Sequence, residues 1–492
     1  MSEGIGSPEE RLRAAGASFT RPAAPEADRH KGSNGAAGGG PKGQKAIPAA
    51  NPYDLDGFDL NEDGVALAFV DRFKDALRYC HHTGAWFQWT AAIWQQEETK
   101  LAFSWARETC RDLARDVDPE DKLKATLARA ATAAAVERFA QSDRAFAVTS
   151  ATWDRDPWLL GTPGGTVELR TGTLRPARPN DYITKAAAVA PAARVECPRW
   201  LRFMDEVTGG NADLIRFLQQ WSGYCLTGDT REEALLFVHG SGSNGKGKFL
   251  SAVQGILGDY CRTAAMDTFT ASHGDKHPTD LAMLRGARMV CASETEEVHA
   301  WAEVRIKQMT GNDVITARFM RQDFFEYRPQ FKLTIIGNHA PVLRNVDDAA
   351  RRRFNIAPFS FKPQVPDLEL EATLRAEWPG ILRWMMDGCL DWRQHGLVRP
   401  EVVRDTTDEY FEAQDLLAQW LAERCEVKAT AEAASAALYR DWLAWSKARG
   451  EDAGTHKAFS ASLERRYPKE RTRTGVVFQG LRLLPTETGV WS

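Results

Sequence analysis

The sequence has few of the features that mark a zinc ribbon, a secreted protein or a membrane protein. Its eight cysteines are scattered, and no two of them form a CxxC pair, which disfavours a zinc ribbon. It contains neither a signal-peptide-like apolar segment nor an apolar run of about 18 residues, which argues against secretion and membrane insertion. We therefore expect a cytoplasmic protein whose cysteines are reduced and mostly buried.

The charge of the whole chain does not indicate a nucleic-acid partner. The 63 Lys and Arg residues are balanced by 67 Asp and Glu residues, so the net charge is −4. A nucleic-acid-binding surface must therefore come from local clusters, such as Arg351–Arg353 or the basic segment 465–473. With 43% apolar residues among 492, the chain can fill the cores of about two to four domains.

Composition and periodicity divide the chain into four regions. Residues 1–50 are rich in Ala, Gly and Pro and predict a disordered tail. Residues 51–200 predict a mainly helical domain, with helical spacing in segments such as RFKDALRYC, a small β element around AWFQWTAAIW and short strands near VELR. Residues 201–400 alternate strands and helices, which predicts an open, mainly parallel α/β core. Residues 401–492 predict a helix, a basic helix and a strand–turn–strand around GVVFQGLRL, the order of a winged helix.

The segment LLFVHGSGSNGKGKF, residues 235–249, joins a strand-like run to a glycine-rich loop, and a helical pattern follows it. In such a loop the backbone N–H groups cradle phosphates and a lysine reaches the β- and γ-phosphates. The alternative is a flexible Gly/Ser linker, which the flanking strand and helix patterns disfavour. We predict that the nucleotide contacts nine residues: Gly240, Ser241, Gly242, Ser243, Asn244, Gly245, Lys246, Gly247 and Lys248.

Two lysines can fill the lysine position of the pattern G-x-x-x-x-G-K-[ST]. One register runs from Gly240 to Lys246, and the other runs from Gly242 to Lys248. The loop should begin directly after the buried strand, which favours Lys246. In that register Gly247 stands where the hydroxyl of a Ser or Thr should meet Mg²⁺.

Polar residues follow the strands downstream of the loop. Glu294 ends the strand-like MVCAS run and could coordinate Mg²⁺, or it could belong to a solvated acidic loop. Asn338 ends the next strand and could orient the attacking water, or it could start a turn before Pro341. Arg351–Arg353 follow. They could form a basic surface patch, or one of them could reach the nucleotide of an adjacent subunit. An arginine supplied in this way accelerates nucleotide hydrolysis by roughly 10³- to 10⁵-fold.

Together these segments resemble the superfamily 3 helicases of the phage and plasmid primase-helicase type, an AAA+ ATPase class with members in satellite phages and poxviruses. The matching segments are TPGGTVELRTG, YCLTGDTREE, GSGSNGKGKF, SETEE, KQMTGNDVITARFMRQDFFEYRPQFKLTIIGNHAP and DDAARRRFNIAPF. The resemblance covers about residues 51–361. It implies an α/β AAA+ P-loop ATPase core and ATP-driven, 3′-to-5′ DNA unwinding in phage, prophage or plasmid replication.

The resemblance also implies roles for single residues. Lys246 matches the phosphate-loop lysine, Glu294 the acid of the second ATPase motif, and Asn338 the sensor asparagine of the third. Arg352 and Arg353 stand where the family places its arginine finger. The implied cofactors are ATP and Mg²⁺, with Glu294 holding the metal, and the implied assembly is a homo-hexameric ring with single-stranded DNA in its pore.

The segment TARFMRQDFFEYRP lies where related helicases carry a hairpin that tracks DNA. Arg318 and Arg321 flank Phe319 and Met320, a basic and apolar mixture that suits phosphate contact and stacking on exposed bases. Lys307 is a further basic candidate. An ordinary hairpin with solvated arginines is the alternative.

The chain departs from the family pattern at Gly247 and at its front, where there is little room for a primase domain. We therefore expect a helicase without its own primase, working in the bacterial cytoplasm with a separate primase and no membrane contact. The segment 465–473 is expected to bind duplex or origin DNA through phosphates. Three alternatives remain: an ATP-binding replication initiator with weak or no hydrolysis, a small-molecule P-loop kinase, and a primase-helicase that keeps primer synthesis.

Overall fold

The computed structural model describes residues 58–484 apart from 116, 272–278, 294–299, 321–322, 339–340, 342, 344–347, 364, 366, 452 and 474. The tail predicted for residues 1–50 lies outside the described residues. All eight cysteines are described; they are buried and free, as the sequence predicts. Among the described helices, none combines the length and the apolar character needed to cross a bilayer.

The N-terminal region packs helices around a small sheet. Its helices are α1 (Glu62–Phe73), α2 (Leu101–Arg115), α3 (Lys122–Leu127) and α4 (Ala130–Ser142). Its strands are β1 (Leu77–Cys80), β2 (Ala85–Trp89), β3 (Trp94–Gln96) and β4 (Ala147–Val148), in the sheet order β3-β2-β1-β4. The β element predicted around AWFQWTAAIW is the β2–β3 hairpin, in which Trp86 and Trp94 are buried.

The helix predicted over RFKDALRYC is wrong in its second half. Helix α1 ends at Phe73, and the last four residues of the segment form β1. Strand β1 pairs with β2 and with β4, which buries Leu77 and Cys80 completely. These partners come later in the chain, so the helical spacing of the segment alone could not reveal them.

Three short antiparallel strands follow. They are β5 (Leu159–Thr162), β6 (Gly165–Glu168) and β7 (Thr173–Arg175). The turn predicted at TPGGT joins β5 to β6, and Gly165 there has a φ of 131°, a backbone conformation that favours glycine. The strand predicted at VELR is confirmed for Val167 and Glu168, which end β6, whereas Leu169 and Arg170 lie in the turn that follows.

A five-stranded sheet forms the centre of the molecule. Its strands are β8 (Leu235–His239), β9 (Cys261–Thr263), β10 (Met289–Ser293), β13 (Lys332–Gly337) and β14 (Phe354–Pro358), in the order β14-β8-β13-β10-β9. Every pairing among them is parallel. The predicted parallel α/β core is therefore confirmed, and the carboxyl ends of its strands meet at one edge.

Both faces of this sheet are buried. Leu236 and Val238 of β8 pack in a cluster with Trp221, whereas Leu235 and Phe237 pack in a second cluster on the opposite face. Successive side chains of a strand point to opposite faces, so a strand covered on both sides needs an unbroken apolar run. The LLFV sequence satisfies that need.

Helices cover the two faces, and a β-hairpin projects from the core. The helices are α5 (Pro198–Thr208), α6 (Ala212–Cys225), α7 (Lys246–Leu257), α8 (Thr279–Ala282), α9 (Glu303–Thr310), α10 (Asp348–Arg353), α11 (Leu370–Ala376), α12 (Trp378–His395) and α13 (Glu401–Gln414). The hairpin pairs β11 (Ile315–Ala317) with β12 (Phe325–Tyr327), where the sequence predicts one. Helix α13 packs on the central sheet. There the backbone N–H of Ile356 in β14 donates a hydrogen bond to Thr407 Oγ1 at 3.0 Å.

The remaining C-terminal residues have their own apolar cluster. The elements are α14 (Leu416–Arg424), β15 (Cys425–Ala434), α15 (Ser435–Ala448), α16 (His456–Glu464), β16 (Lys469–Thr472) and β17 (Gly475–Leu483). The sheet order is β15-β17-β16. The strand–turn–strand predicted around GVVFQGLRL is the antiparallel pair of β16 and β17. The segment GVVFQGLRL itself is the single strand β17, whose Phe478 and Leu481 belong to the apolar cluster.

Candidate functional site

The glycine-rich loop connects the carboxyl end of β8 to the start of α7. Gly242 and Gly245 have φ values of 91° and 87°, which favour glycine. A Cβ on Gly240 would lie 1.9 Å from Asn244 Nδ2, so only glycine fits there. Asn244 Nδ2 donates to the carbonyl oxygen of Phe359 at 2.6 Å, which ties the loop to the end of β14. The loop is thus a fixed turn between a strand and a helix, unlike a flexible linker.

Lys246 is the first residue of α7, and its side chain lies within the loop. Its Nζ donates to the carbonyl oxygen of Gly240 at 2.5 Å, to Asn244 Oδ1 at 3.0 Å and to Asn338 Oδ1 at 3.0 Å. Burial lowers the pKa of Lys246, and no carboxylate among the described residues pairs with it. A buried cation held by neutral oxygens can bind an anion, because its charge is not compensated.

Lys248, the lysine of the alternative register, has a different partner. Its Nζ makes an ion pair with Glu371 Oε2 of α11 at 2.5 Å, at the surface. The hydrogen bond from Lys248 is the main cause that lowers the pKa of Glu371. The two lysines therefore differ in their partners, not in their access to the loop. Lys246 is held by neutral oxygens and Lys248 pairs with a carboxylate, while both line a pocket at the loop.

Asn338 is brought to the loop by the strand order. It directly follows β13, which is the neighbour of β8 in the sheet. The 3.0 Å contact with Lys246 joins two residues 92 positions apart in sequence. Strand β10 lies on the other side of β13, and Glu294, which follows it, lies outside the described residues.

A cavity of about 560 Å³ opens beside the loop. Its lining combines loop residues and apolar side chains with charged side chains. The loop and apolar residues include Phe203, Val207, Ser243, Asn244, Phe361 and Leu370, and the charged residues are Arg199, Arg202, Glu206, Lys248 and Asp367. Ligand pockets are usually mainly apolar with a few polar groups that fix orientation, and the five charged side chains make this lining more polar than that.

The region of α7 that follows Lys246 leaves room for a larger side chain. A Cβ on Gly247 would meet no atom within 4 Å, and its φ is not positive. Packing therefore does not require glycine at the position where the sequence pattern expects a hydroxyl.

The predicted arginines lie at the opposite edge of the sheet, where α10 leads into β14. Arg353 Nη2 pairs with Glu233 Oε2 at 2.6 Å, and its Nε donates to Thr310 Oγ1 at 3.2 Å. Arg352 is exposed, and within the described part of the chain its guanidinium has no carboxylate partner. Of the two, Arg352 is the one that a second molecule could reach without breaking an ion pair.

The hairpin carries exposed basic and aromatic side chains. The guanidinium of Arg318 lies 4.8 Å from the ring centroid of Phe324, and Phe319 stacks on Phe325 at 5.4 Å. Met320 is 70% exposed and Phe324 is 60% exposed. Arg321 lies outside the described residues, and Lys307, half-buried in α9, has a contact of its own. Phe324 is not among the residues predicted from the sequence, in which the doublet Phe324–Phe325 is the available signal.

Comparisons with known proteins cover most of this architecture. Residues 66–209 match the D5 N terminal like family model, and residues 238–353 match a family of unknown function, DUF5906. The "Putative helicase L207/L206" of Acanthamoeba polyphaga mimivirus is 25% identical over 298 residues, 55% of this chain and 31% of that protein. The "Putative helicase 022R" of Frog virus 3 (isolate Goorha) is 25% identical over 260 residues, 48% of this chain and 27% of that protein.

The chain spans less than a third of the length of these curated relatives. Among solved structures it is similar to the apo structure of the NrS-1 C-terminal region, with a TM-score of 0.47 and 10% identity over 74% of this chain and 78% of that chain. A second form of that region aligns with a TM-score of 0.48 and 9% identity over 86% of this chain and 100% of that one. The match to the D5 N terminal like model and the relatives named as helicases confirm the resemblance to the primase-helicase family.

Proposed function

We propose that the chain is the ATP-hydrolysing AAA+ motor of a DNA helicase that acts in phage, prophage or plasmid replication. One observation carries the proposal: Lys246 Nζ lies 3.0 Å from Asn338 Oδ1 at the carboxyl ends of two adjacent parallel strands. Open α/β sheets bind ligands at this edge. The relatives named as helicases and the D5 N-terminal-like region support a replication function.

ATP would bind with its phosphates in the loop. The backbone N–H groups at the start of α7 and the partial positive charge of the helix end attract phosphate oxygens. Lys246 would exchange its neutral oxygen partners for the β- and γ-phosphates, and Asn338 would then be free to orient the attacking water. The base would occupy the cavity beside Phe203 and Phe361.

Mg²⁺ would be held by ATP, by water and by Glu294, without a hydroxyl from Gly247. Magnesium commonly keeps several waters and takes one or two carboxylates besides the phosphates. The absence of the hydroxyl is therefore compatible with metal binding.

We further propose a ring, with the arginine finger supplied by Arg352 or Arg353 of the adjacent subunit. DNA in the pore would contact the hairpin through Arg318, Arg321 and Phe324, with Lys307 nearby. Exposed Met320 and Phe324 beside Arg318 suit base stacking and phosphate contact. The 3′-to-5′ direction and a separately encoded primase follow from the family resemblance alone.

The C-terminal elements support a winged-helix module that binds duplex DNA. A helix, a strand, two helices and a two-stranded hairpin follow one another in α14 to β17. The exposed basic residues of the segment 465–473 include Arg465, Arg471 and Arg473, whereas Arg466 and Lys469 pair with Asp415 and Glu464.

A second candidate is an ATP-binding replication initiator with weak or no hydrolysis. Gly247 favours it, because a site without the hydroxyl ligand could bind nucleotide and position Mg²⁺ poorly for hydrolysis.

DNA-stimulated ATP hydrolysis and strand displacement by the purified chain test the proposal. We expect single-stranded DNA to stimulate hydrolysis, and Lys246→Ala to reduce it at least about 100-fold. Lys122→Ala, which changes an exposed lysine of α3, is the control for the loss of one positive charge.

If the wild-type chain binds ATP and does not hydrolyse it with any DNA, the initiator is correct. Phosphorylation of a small molecule without DNA stimulation would instead favour a kinase. Ribonucleotide incorporation on a single-stranded template would show that primer synthesis is retained.

A further inference from the structure

The pocket at the glycine-rich loop is lined by two lysines. It has a volume of about 360 Å³, and its lining consists of loop residues, Lys246, Lys248 and Ser251 of α7. Among the described residues, no carboxylate lines it. Two cations and the start of a helix therefore line one pocket, which suits a strongly charged anion. The loop pattern accounts for only one of these two lysines.

The position of Lys248 in α7 directs its side chain toward the start of the helix. Lys248 is the third residue of α7, which begins at Lys246. Long side chains of a helix point back toward its amino terminus, and the flexible stem of a lysine can place the ammonium group in more than one position. A Cβ on Gly247 would meet no atom within 4 Å. Position 247 therefore places no side chain between Lys248 and phosphates bound at the start of α7.

The ion pair that holds Lys248 is exposed. Lys248 Nζ lies 2.5 Å from Glu371 Oε2 of α11, and the two side chains are 41% and 67% exposed. Water and salt screen such a pair, so it stabilises the protein little. A triphosphate brings more negative charge than one carboxylate, so the ammonium group gains by exchanging Glu371 for phosphate.

Glu371 keeps a nearby cation when Lys248 leaves it. The hydrogen bond from Lys248 is the largest cause that lowers the pKa of Glu371, and the charge of Arg375 lowers this pKa further. Arg375 follows Glu371 by four residues in α11, the favourable order for an acid and a base on a helix. The exchange therefore leaves Glu371 beside Arg375.

We propose that Lys248 is a second phosphate-binding cation, which exchanges Glu371 for the phosphates of the nucleotide when the nucleotide enters the loop. This inference rests on the proposed function, because it takes ATP as the nucleotide, and it assigns roles to Lys248 and Glu371. Two lysines neutralise charge that Mg²⁺ would otherwise neutralise, at a site where Gly247 offers no hydroxyl to the metal. ATP binding should therefore persist without Mg²⁺, and Glu371 should weaken it by competing for Lys248.

Binding of a fluorescent ATP analogue by the full chain, with Mg²⁺ and with EDTA, tests the second cation. We expect Lys248→Met to weaken binding at least about 10-fold in EDTA and about threefold with Mg²⁺, because the metal neutralises part of the same charge. Lys74→Met is the matched control, since Lys74 also forms an exposed ion pair, with Asp71 Oδ1 at 2.7 Å. Lys248→Arg keeps the charge and should bind like the wild type. An arginine variant as weak as the methionine variant would overturn the role of the charge.

Glu371→Gln shows whether the ion pair competes with the nucleotide. It should tighten binding in EDTA about two- to fivefold, because Lys248 is no longer held at α11. Asp71→Asn, which breaks the other exposed pair, is the control and should leave binding unchanged. In the Lys248→Met chain, most of the gain from Glu371→Gln should disappear. An equal gain with and without Lys248, or no gain in either chain, would overturn the exchange.

The remaining outcomes separate the two proposals. Binding by Lys248→Met within about twofold of the wild type in EDTA would overturn the second cation and leave the ATPase at Lys246 standing. Binding that depends on Lys248, in a wild-type chain that hydrolyses no ATP with any DNA, would overturn the motor and support the second cation. A wild-type chain that binds no ATP analogue would overturn both.

Discussion

The two edges of the central sheet each hold a buried lysine, and the two lysines have different surroundings. Lys246 lies at the carboxyl edge, beside β8 and β13, and Lys332 begins β13 at the amino edge. Lys332 is 2% exposed, and its Nζ donates to the carbonyl oxygens of Thr227, of Asp229 at 3.2 Å and of Gln330 at 3.4 Å. Both cations are therefore held by neutral oxygens.

The difference lies in access to the charge. The Nζ of Lys332 lies 4.6 Å from the ring centroid of Tyr224, and burial lowers the pKa of Lys332 to about 7. Lys246 lies in a loop whose residues Ser241 and Ser243 are exposed. A buried lysine without a carboxylate is thus not sufficient to mark a ligand site, and the open glycine-rich loop distinguishes the two.

Replacing each lysine by methionine should separate activity from stability. We expect Lys246→Met to lower ATP hydrolysis at least about 100-fold, because the phosphates lose their cation, while the melting temperature stays equal or rises. Lys332→Met should keep hydrolysis within about twofold, since Lys332 is far from the loop along β13. Steady-state hydrolysis and thermal melts of the two variants check this, and an active Lys246→Met would contradict the difference between the edges.

Lys332 should also make stability depend on pH. Its folded pKa is below its ordinary value, so the unfolded chain binds more protons between about pH 7 and pH 10, and the free energy of unfolding rises with pH in that window. The wild type should gain up to about 1.4 kcal/mol per pH unit relative to Lys332→Met. Urea unfolding of both chains at about pH 7, 8 and 9 measures it; equal slopes would show that Lys332 titrates normally.

Two neighbouring arginines at the amino edge should differ in the same way as the lysines. Arg353→Ala should lower the free energy of unfolding by about 1 to 3 kcal/mol, because it leaves Glu233 and Thr310 without their partner. Arg352→Ala should leave stability unchanged and reduce hydrolysis. Denaturant titrations beside hydrolysis assays test both, and equal stability losses would contradict the structural role of Arg353.

The smallest expected effect concerns Gly247 at the carboxyl edge. Gly247→Ser has room for its side chain and supplies the missing hydroxyl, so Mg²⁺-dependent hydrolysis should rise by up to about tenfold. Gly247→Ala fills the same space without the hydroxyl and is the control. If both variants respond alike to Mg²⁺, the hydroxyl has no part in metal binding here.

Much of the candidate site could be predicted because its pattern is local. The run LLFV, the glycines and Lys246 lie within a few residues of one another, and each has a conformational preference that acts over that distance. Segments whose structure depends on distant partners were harder. RFKDALRYC contains a strand because β2 and β4 pair with it, and GVVFQGLRL stays one strand because β15 and β16 lie on its two sides.

Local sequence therefore determines that a strand, a glycine-rich loop and a helix occur around Lys246. The tertiary structure decides what that lysine meets. Asn338 reaches it across 92 residues, and Phe359 holds Asn244 across 115, because parallel strands bring their carboxyl ends to one edge whatever their separation in the chain. The same strand direction places Arg352 at the other edge, where Arg399, 47 residues further along the chain, donates to its carbonyl oxygen.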